Sequence, residues 1–189
     1  PSFIQGATGP TEAPLVKVTG TSLQNTDGPV FDVSNSFIFA SWPVFQLDPG
    51  VSANLSGVMN VSGCGSQSGC AGVSVGPKDA VTLGAGSSLT STDALFKIKE
   101  GAFLADLGPG LVAMQAGSTL TLSASIVDAN GGIVSFNNGA MLRETNATVM
   151  STQPLAILQA NSALVSSNPL VLMNGGSLTA DSVVKAEGN

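Results

Sequence analysis

Between Pro154 and Asp181 the chain says nearly the same thing twice. Pro154-Leu-Ala-Ile-Leu-Gln-Ala-Asn-Ser-Ala-Leu164 is followed, fifteen residues on, by Pro169-Leu-Val-Leu-Met-Asn-Gly-Gly-Ser-Leu178. Each copy opens on proline, runs through four apolar residues, turns on small polar ones and resumes at leucine. A unit this short cannot bury its apolar side alone, so the pair reads as two stacked units of a repeat protein.

The same pattern runs back through the chain. Pro14-Leu-Val-Lys-Val18 with Leu23, Pro29-Val-Phe-Asp-Val33 with Phe39, and Pro43-Val-Phe-Gln-Leu47 with Gly50 carry it early. It returns as Val81 and Leu83 with Gly86 and Leu89, Leu95-Phe-Lys-Ile98 with Gly101 and Leu104, Leu111-Val-Ala-Met114 with Gly117 and Leu120, and Ile133-Val-Ser-Phe136 with Gly139 and Leu142. The segments are short, rich in Val, Ile, Thr, Ser and Phe, and punctuated by Gly, Pro and Asn-Gly, which are strand and turn signals. No window holds a capped apolar stripe of helical period. A sandwich would also give short strands, but only a solenoid requires one side-chain pattern at a fixed period, because equivalent positions stack about 4.8 Å apart into ladders. The reading is an all-β chain, a single parallel β-solenoid (β-helix) with coils of about 15–22 residues. The longer coils are expected to carry one extra strand and face, as in Ser125 to Asn130 or Ala147 to Ser151. Residues 1–13 form an N-terminal lead-in in which Phe3 and Ile4 are a candidate docking strand, and residues 14–189 form the solenoid, with a cysteine loop at 63–71.

Segments such as Pro169-Leu-Val-Leu-Met-Asn-Gly-Gly-Ser-Leu-Thr179 and Gly110-Leu-Val-Ala-Met-Gln-Ala-Gly-Ser-Thr-Leu-Thr121 resemble the coils of right-handed parallel β-helix surface proteins of the filamentous haemagglutinin and autotransporter-passenger type. The resemblance covers Pro14 to Asp181 and is one of repeat style. It implies a secreted, mostly non-catalytic role and transfers no functional residue.

Charged residues are only 10% of the chain, against roughly 25% in ordinary soluble domains. The surface must therefore be covered by Ser, Thr, Asn, Gln and Gly, and in part by neighbouring molecules. A net charge of −6 with six basic residues excludes an electrostatic nucleic-acid footprint, and no apolar run approaches the roughly 20 residues of a membrane span. Cys64 and Cys70 bracket five small residues; a disulfide-clipped loop in an oxidising compartment is the favoured reading, with free thiols or half a metal site as alternatives. The metal alternative lacks histidine and a second cysteine pair. Without histidine there is no Ser-His-Asp or Cys-His machinery.

Some β-helices cleave polysaccharides with clustered carboxylates, but the acids here are scattered; stacking could bring Asp32 and Asp48 onto one face, and the favoured reading is that they are solvated turn residues. Asp128-Ala-Asn130 reads as an Asx turn rather than a cation loop. Asn54, Asn60 and Asn146 open sequons and are candidate glycosylation sites. The regular Thr-x-Thr ladders of an ice-binding solenoid are absent from the sequence. The chain is thus expected to be no enzyme and to need no cofactor.

A consensus coil close to the C-terminus looks uncapped, and its strands are apolar on both faces. Phe3, Ile4, Leu170, Leu172, Met173, Val183 and Val184 are therefore the candidate assembly interface. The leading expectation is a non-catalytic structural subunit of an extracellular or cell-surface fibre or sheath, a homo-oligomer or homopolymer joined by end-to-end stacking without membrane insertion. The alternatives are an adhesin passenger fragment contacting glycan or a host surface, and a carbohydrate-binding or carbohydrate-cleaving β-helix.

Overall fold

The computed structural model describes residues 3–5, 13–65 and 69–188. Apart from one small hairpin, every strand belongs to one of four six-stranded parallel sheets, visited in strict rotation. We call them sheets A to D. Coil 1 comprises Phe3–Gln5, Val16–Val18, Ser22–Asn25 and Phe31–Ser34; coil 2 Phe37–Ala40, Phe45–Leu47, Ser52–Leu55 and Met59–Ser62; coil 3 Gly72–Val75, Val81–Leu83, Ser88–Ser91 and Phe96–Lys99. Coil 4 comprises Phe103–Asp106, Gly110–Met114, Thr119–Leu122 and Val127–Asn130; coil 5 Ile133–Phe136, Ala140–Thr145, Thr148–Ser151 and Ala156–Gln159; coil 6 Ala163–Ser166, Val171–Asn174, Ser177–Thr179 and Val184–Glu187. The chain is a parallel β-solenoid, as its strand chemistry predicts.

The coil length differs from the sequence reading. Ile133 stacks on Phe103 and Ala163 on Ile133, a step of 30 residues; the shortest step is 28, from Phe31 to Met59, and the longest 37, from Met59 to Phe96. The spacing of about fifteen is half a coil. The copy at Pro154 feeds the sheet D strand of coil 5 and the copy at Pro169 feeds the sheet B strand of coil 6, so the two do not stack on each other. Each stacks on strands about thirty residues away in its own sheet. Nor does any coil gain a face: all six have four strands, and length varies in the corners and in the hairpin.

Inward side chains alternate along each strand and align between coils, which builds one continuous apolar core. In sheet A the ladder Ile38, Val73, Leu104, Val134, Leu164 is in register, in sheet C Leu23, Ala53, Leu89, Leu120, Val149, Leu178, and in sheet D Phe31, Met59, Phe96, Val127, Ala156, Val184. The last of these runs from three large residues, Phe31, Met59 and Phe96, to three smaller ones, Val127, Ala156 and Val184.

The corners use two devices. Between sheets B and C the backbone turns through the left-handed region at Gly50, Gly86, Gly117 and Asn146, with φ of 74°, 66°, 72° and 49°, where glycine and asparagine are tolerated best. These turns stack: Gly86 N–H donates to Ala116 O and Gly117 N–H to Asn146 O. A second device is a polar side chain at or next to the end of a strand that bonds the turn following it. Ser151 Oγ accepts from Gln153 N–H at 3.2 Å, Asp106 Oδ1 from Gly108 N–H at 3.1 Å, and Glu144 Oε2 from Ala147 N–H at 2.8 Å.

The candidate docking strand is the first strand of sheet A, Phe3–Gln5, with Phe3 in register with Phe37 and Ile4 with Ile38 of its own chain. The rest of the lead-in, residues 1–2 and 6–12, lies outside the described residues. So does the tip of the cysteine loop, residues 66–68; its base is an antiparallel hairpin, Cys64–Gly65 with Gly69–Cys70, inserted at the corner between coils 2 and 3.

Candidate assembly edges and outer faces

Each sheet begins on a strand of coil 1 and ends on a strand of coil 6, so the solenoid has two open edges among the described residues. At the C-terminal edge Leu164, Val171 and Leu178 are only partly buried against the core, while Met173 and Val184 are 43% and 38% exposed. Their register partners inside, Val134, Leu142 and Val149, are buried. The residues chosen from sequence thus divide. Leu170 packs half-buried against the core, Met173 and Val184 continue inward ladders, Leu172 faces outward beside Arg143, and Val183 precedes the sheet D strand. At the opposite edge Val16, Val18, Leu23 and Phe31 are likewise partly buried, and Phe3 and Ile4 hold the outermost positions of sheet A.

The four outer faces differ in chemistry. On sheet A, Phe37 stacks on Phe39 with ring centroids 5.3 Å apart and meets Phe103 edge-on at 4.9 Å. The second contact spans the intervening coil because the residue between is Gly72; a Cβ there would lie 2.4 Å from the Phe103 ring. Ile133 and Val165 carry this apolar face onward, both about half exposed. On sheet C the outward rungs are Ser22/Gln24, Ser52/Asn54, Ser88/Thr90, Thr119/Thr121, Thr148/Met150 and Ser177/Thr179, with Ser88 Oγ donating to Ser52 Oγ at 2.9 Å. The only Thr-x-Thr rung among them is Thr119/Thr121, but stacking makes a mixed hydroxyl ladder that residues some thirty positions apart do not reveal in sequence. Sequence reasoning missed both faces; strand phasing at thirty rather than fifteen would have found them.

Sheets B and D carry the charge. Asp32 and Asp48 do not come together: Asp32 lies on sheet D and accepts from Asn60 Nδ2 at 2.8 Å, whereas Asp48 follows the sheet B strand of coil 2 and pairs with Lys17 at 3.2 Å. The shared face that a half-coil period would have allowed them does not form. Asp128 is a strand residue on sheet D in register with Lys97, not an Asx turn. Desolvation raises its pKa while Lys97 and Lys99 pull it back down. The sequon residues Asn54 and Asn60 are half-buried on sheets C and D, and Asn146 is exposed at its left-handed corner.

One carboxylate is placed where sequence gave no signal. Asp106 stands in the inward ladder of sheet A between Val75 and Phe136, fully buried, with Oδ2 unbonded. Burial pushes its carboxyl up to about 7; the Gly108 N–H opposes this and the nearby Asp79 adds to it. Asp79 is itself held by Arg143 at 2.8 Å, beside a groove of about 340 Å³ lined by Asp79, Thr82, Gln115 and Arg143. Among the described residues no three His, Cys, Asp or Glu side chains converge into a metal-binding group.

Cys64 and Cys70 form a disulfide that closes the hairpin, and the Cys64 Sγ lies 3.1 Å from Gly101 O at the next corner. Among the described residues no helix is long and apolar enough to cross a membrane. No family model matches the chain, and no curated protein sequence or solved structure does either.

Proposed function

We propose that the chain is a non-catalytic structural subunit of an extracellular fibre or sheath, built by end-to-end stacking of solenoids in the style of the β-helix surface proteins that its repeats resemble. The observation that carries this reading is the state of the C-terminal edge. Among the described residues the last strand of each sheet has one unpaired backbone edge and carries ladder residues of the same apolar types that are buried in the middle coils. Such an edge is a template for another chain unless covered, and a contact between unlike ends does not close on itself. The Cys64–Cys70 disulfide supports an oxidising, extracellular setting. A carbohydrate-cleaving role draws no support from Asp32, on sheet D, and Asp48, which follows a sheet B strand.

The test is the behaviour of the purified, oxidised chain. Electron microscopy and sedimentation velocity should show unbranched filaments whose length grows with protein concentration. A chain that stays monomeric at high concentration removes the fibre reading.

A further inference from the structure

The registers that join the six coils set the first and last coils in residue-by-residue correspondence. Followed along each sheet, Leu164 holds the position of Ile4, Val171 that of Val16, Leu178 that of Leu23, Val184 that of Phe31 and Lys185 that of Asp32. We propose that the C-terminal edge receives the N-terminal edge of a second copy of this chain, head to tail and in the continuing register of all four sheets, with Lys185 set against the second copy's Asp32 on the outer face of sheet D. This rests on the fibre reading above and specifies its joint.

Three observations select this occupant and this register. Every coil-to-coil pairing in the chain is parallel, and only a head-to-tail contact preserves that direction. Two C-terminal edges brought together would run antiparallel. Next, the ladders continue with residue pairs the chain already uses. Leu178 against Leu23 repeats Leu89 against Leu120, and Val184 against Phe31 brings together the residue types of Val127 and Phe96 in the reverse order.

The third observation is charge. The outward ladder of sheet D reads Asp32, Asn60, Lys97, Asp128, Ile157, Lys185. Inside the chain a lysine is followed, one coil on, by an aspartate: Lys97 by Asp128. At the joint Lys185 is followed by Asp32 in the same order. Lys185 is half exposed and paired with its neighbour Glu187 at 2.6 Å, and Asp32 is exposed and accepts from Asn60. On a molecule of net charge −6, an opposed pair at the joint offsets part of the repulsion between copies. The neighbouring corner does not help, since Asp181 stands at one edge and Asp27 at the other.

Charge reversal tests the register. Asp32→Lys or Lys185→Asp alone should raise the concentration at which filaments form roughly tenfold. The double variant should restore it to within about threefold of wild type. Thermal melts below the assembly threshold control for the internal contacts of Asp32 with Asn60 and of Lys185 with Glu187, and Lys185→Ala provides a milder variant. Single reversals without effect, or a double variant as defective as the singles, overturn the register while the fibre reading stands. Closed dimers overturn the head-to-tail joint. A wild-type chain that never polymerises overturns the fibre reading and this inference together.

Discussion

Leu104 and Leu164 occupy the same ladder of sheet A, two coils apart, and meet different fates: Leu104 is fully buried and Leu164 only partly so. Val127 and Val184 in sheet D differ more, the first sealed and the second 38% exposed. The residue types and strand contexts are alike. What differs is the presence of a coil on the far side. Stability in this molecule therefore resides in the interfaces between coils, as expected of a quasi-one-dimensional repeat, and a coil acquires its full share only when covered on both sides.

Asp106 and Ser166 give this contrast its largest expected effect. Both are strand-end residues of sheet A that bond their corner, Asp106 through Gly108 N–H and Ser166 through Asn168 N–H. Asp106 is sealed between coils, and its carboxyl rises from 3.8 to about 7. Between about pH 4 and pH 7 the folded chain keeps a proton that the unfolded chain releases. Stability should be greatest below about pH 4, fall through that window, and level off above about pH 7, by about 4 kcal/mol in all. Thermal melts across this range should show the fall, and Asp106→Asn should remove most of it, leaving the smaller share of Asp128, whose pKa burial also raises. Ser166→Asp, which puts a carboxyl at the same ladder position in the uncovered coil, should add little slope. A melting temperature that climbs from pH 4 to pH 7 would contradict the assignment.

Truncation of the ladder itself comes next. Leu104→Ala removes a side chain with neighbours on both sides and should cost about 3 kcal/mol, whereas Leu164→Ala should cost about 1 kcal/mol. Urea denaturation at a concentration too low for assembly compares them directly. Equal losses would mean that the last coil is already covered in solution. Repeating the measurement under assembling conditions should enlarge the Leu164→Ala loss alone.

The same contrast explains what could be read from the sequence. The solenoid was legible because the strands of the coils carry their own apolar alternation and most corners a Gly, Pro or Asn, and these are local signals. The period was not. Pro29 and Pro154 lead into sheet D, while Pro14, Pro43 and Pro169 lead into sheet B, so two different corners carry one consensus and a coil of about thirty residues passes for two of fifteen. Which strand lies on which is decided by backbone hydrogen bonds between distant residues, and no residue type encodes that choice. For this reason stacking could be read as bringing Asp32 and Asp48 onto one face. Gly72 between Phe37 and Phe103 also lost its meaning until the coils were stacked. Asp106 was invisible because an aspartate before Leu-Gly-Pro reads as a solvated turn residue; its burial is imposed by the coils above and below.

The smallest effect separates ion pairs inside the stack from those at its edge. Arg143 in coil 5 reaches Asp79 before the sheet B strand of coil 3, and Asp79 is 13% exposed with Oδ1 unbonded. Lys17 in coil 1 pairs with Asp48, which keeps 26% of its surface in water. Loss of Arg143 strands a nearly buried carboxylate, while loss of Lys17 returns one to solvent. Arg143→Met should therefore cost about 1 kcal/mol in urea denaturation at pH 8, and Lys17→Met less than about 0.5 kcal/mol. Arg143→Met should also carry the fall of stability to higher pH, because the charge of Asp79 already raises the Asp106 carboxyl and would no longer be offset. Lys17→Met should leave that window where it is. If both variants lose the same stability and neither moves the window, the covered interior gives its charges no more weight than the open edge does.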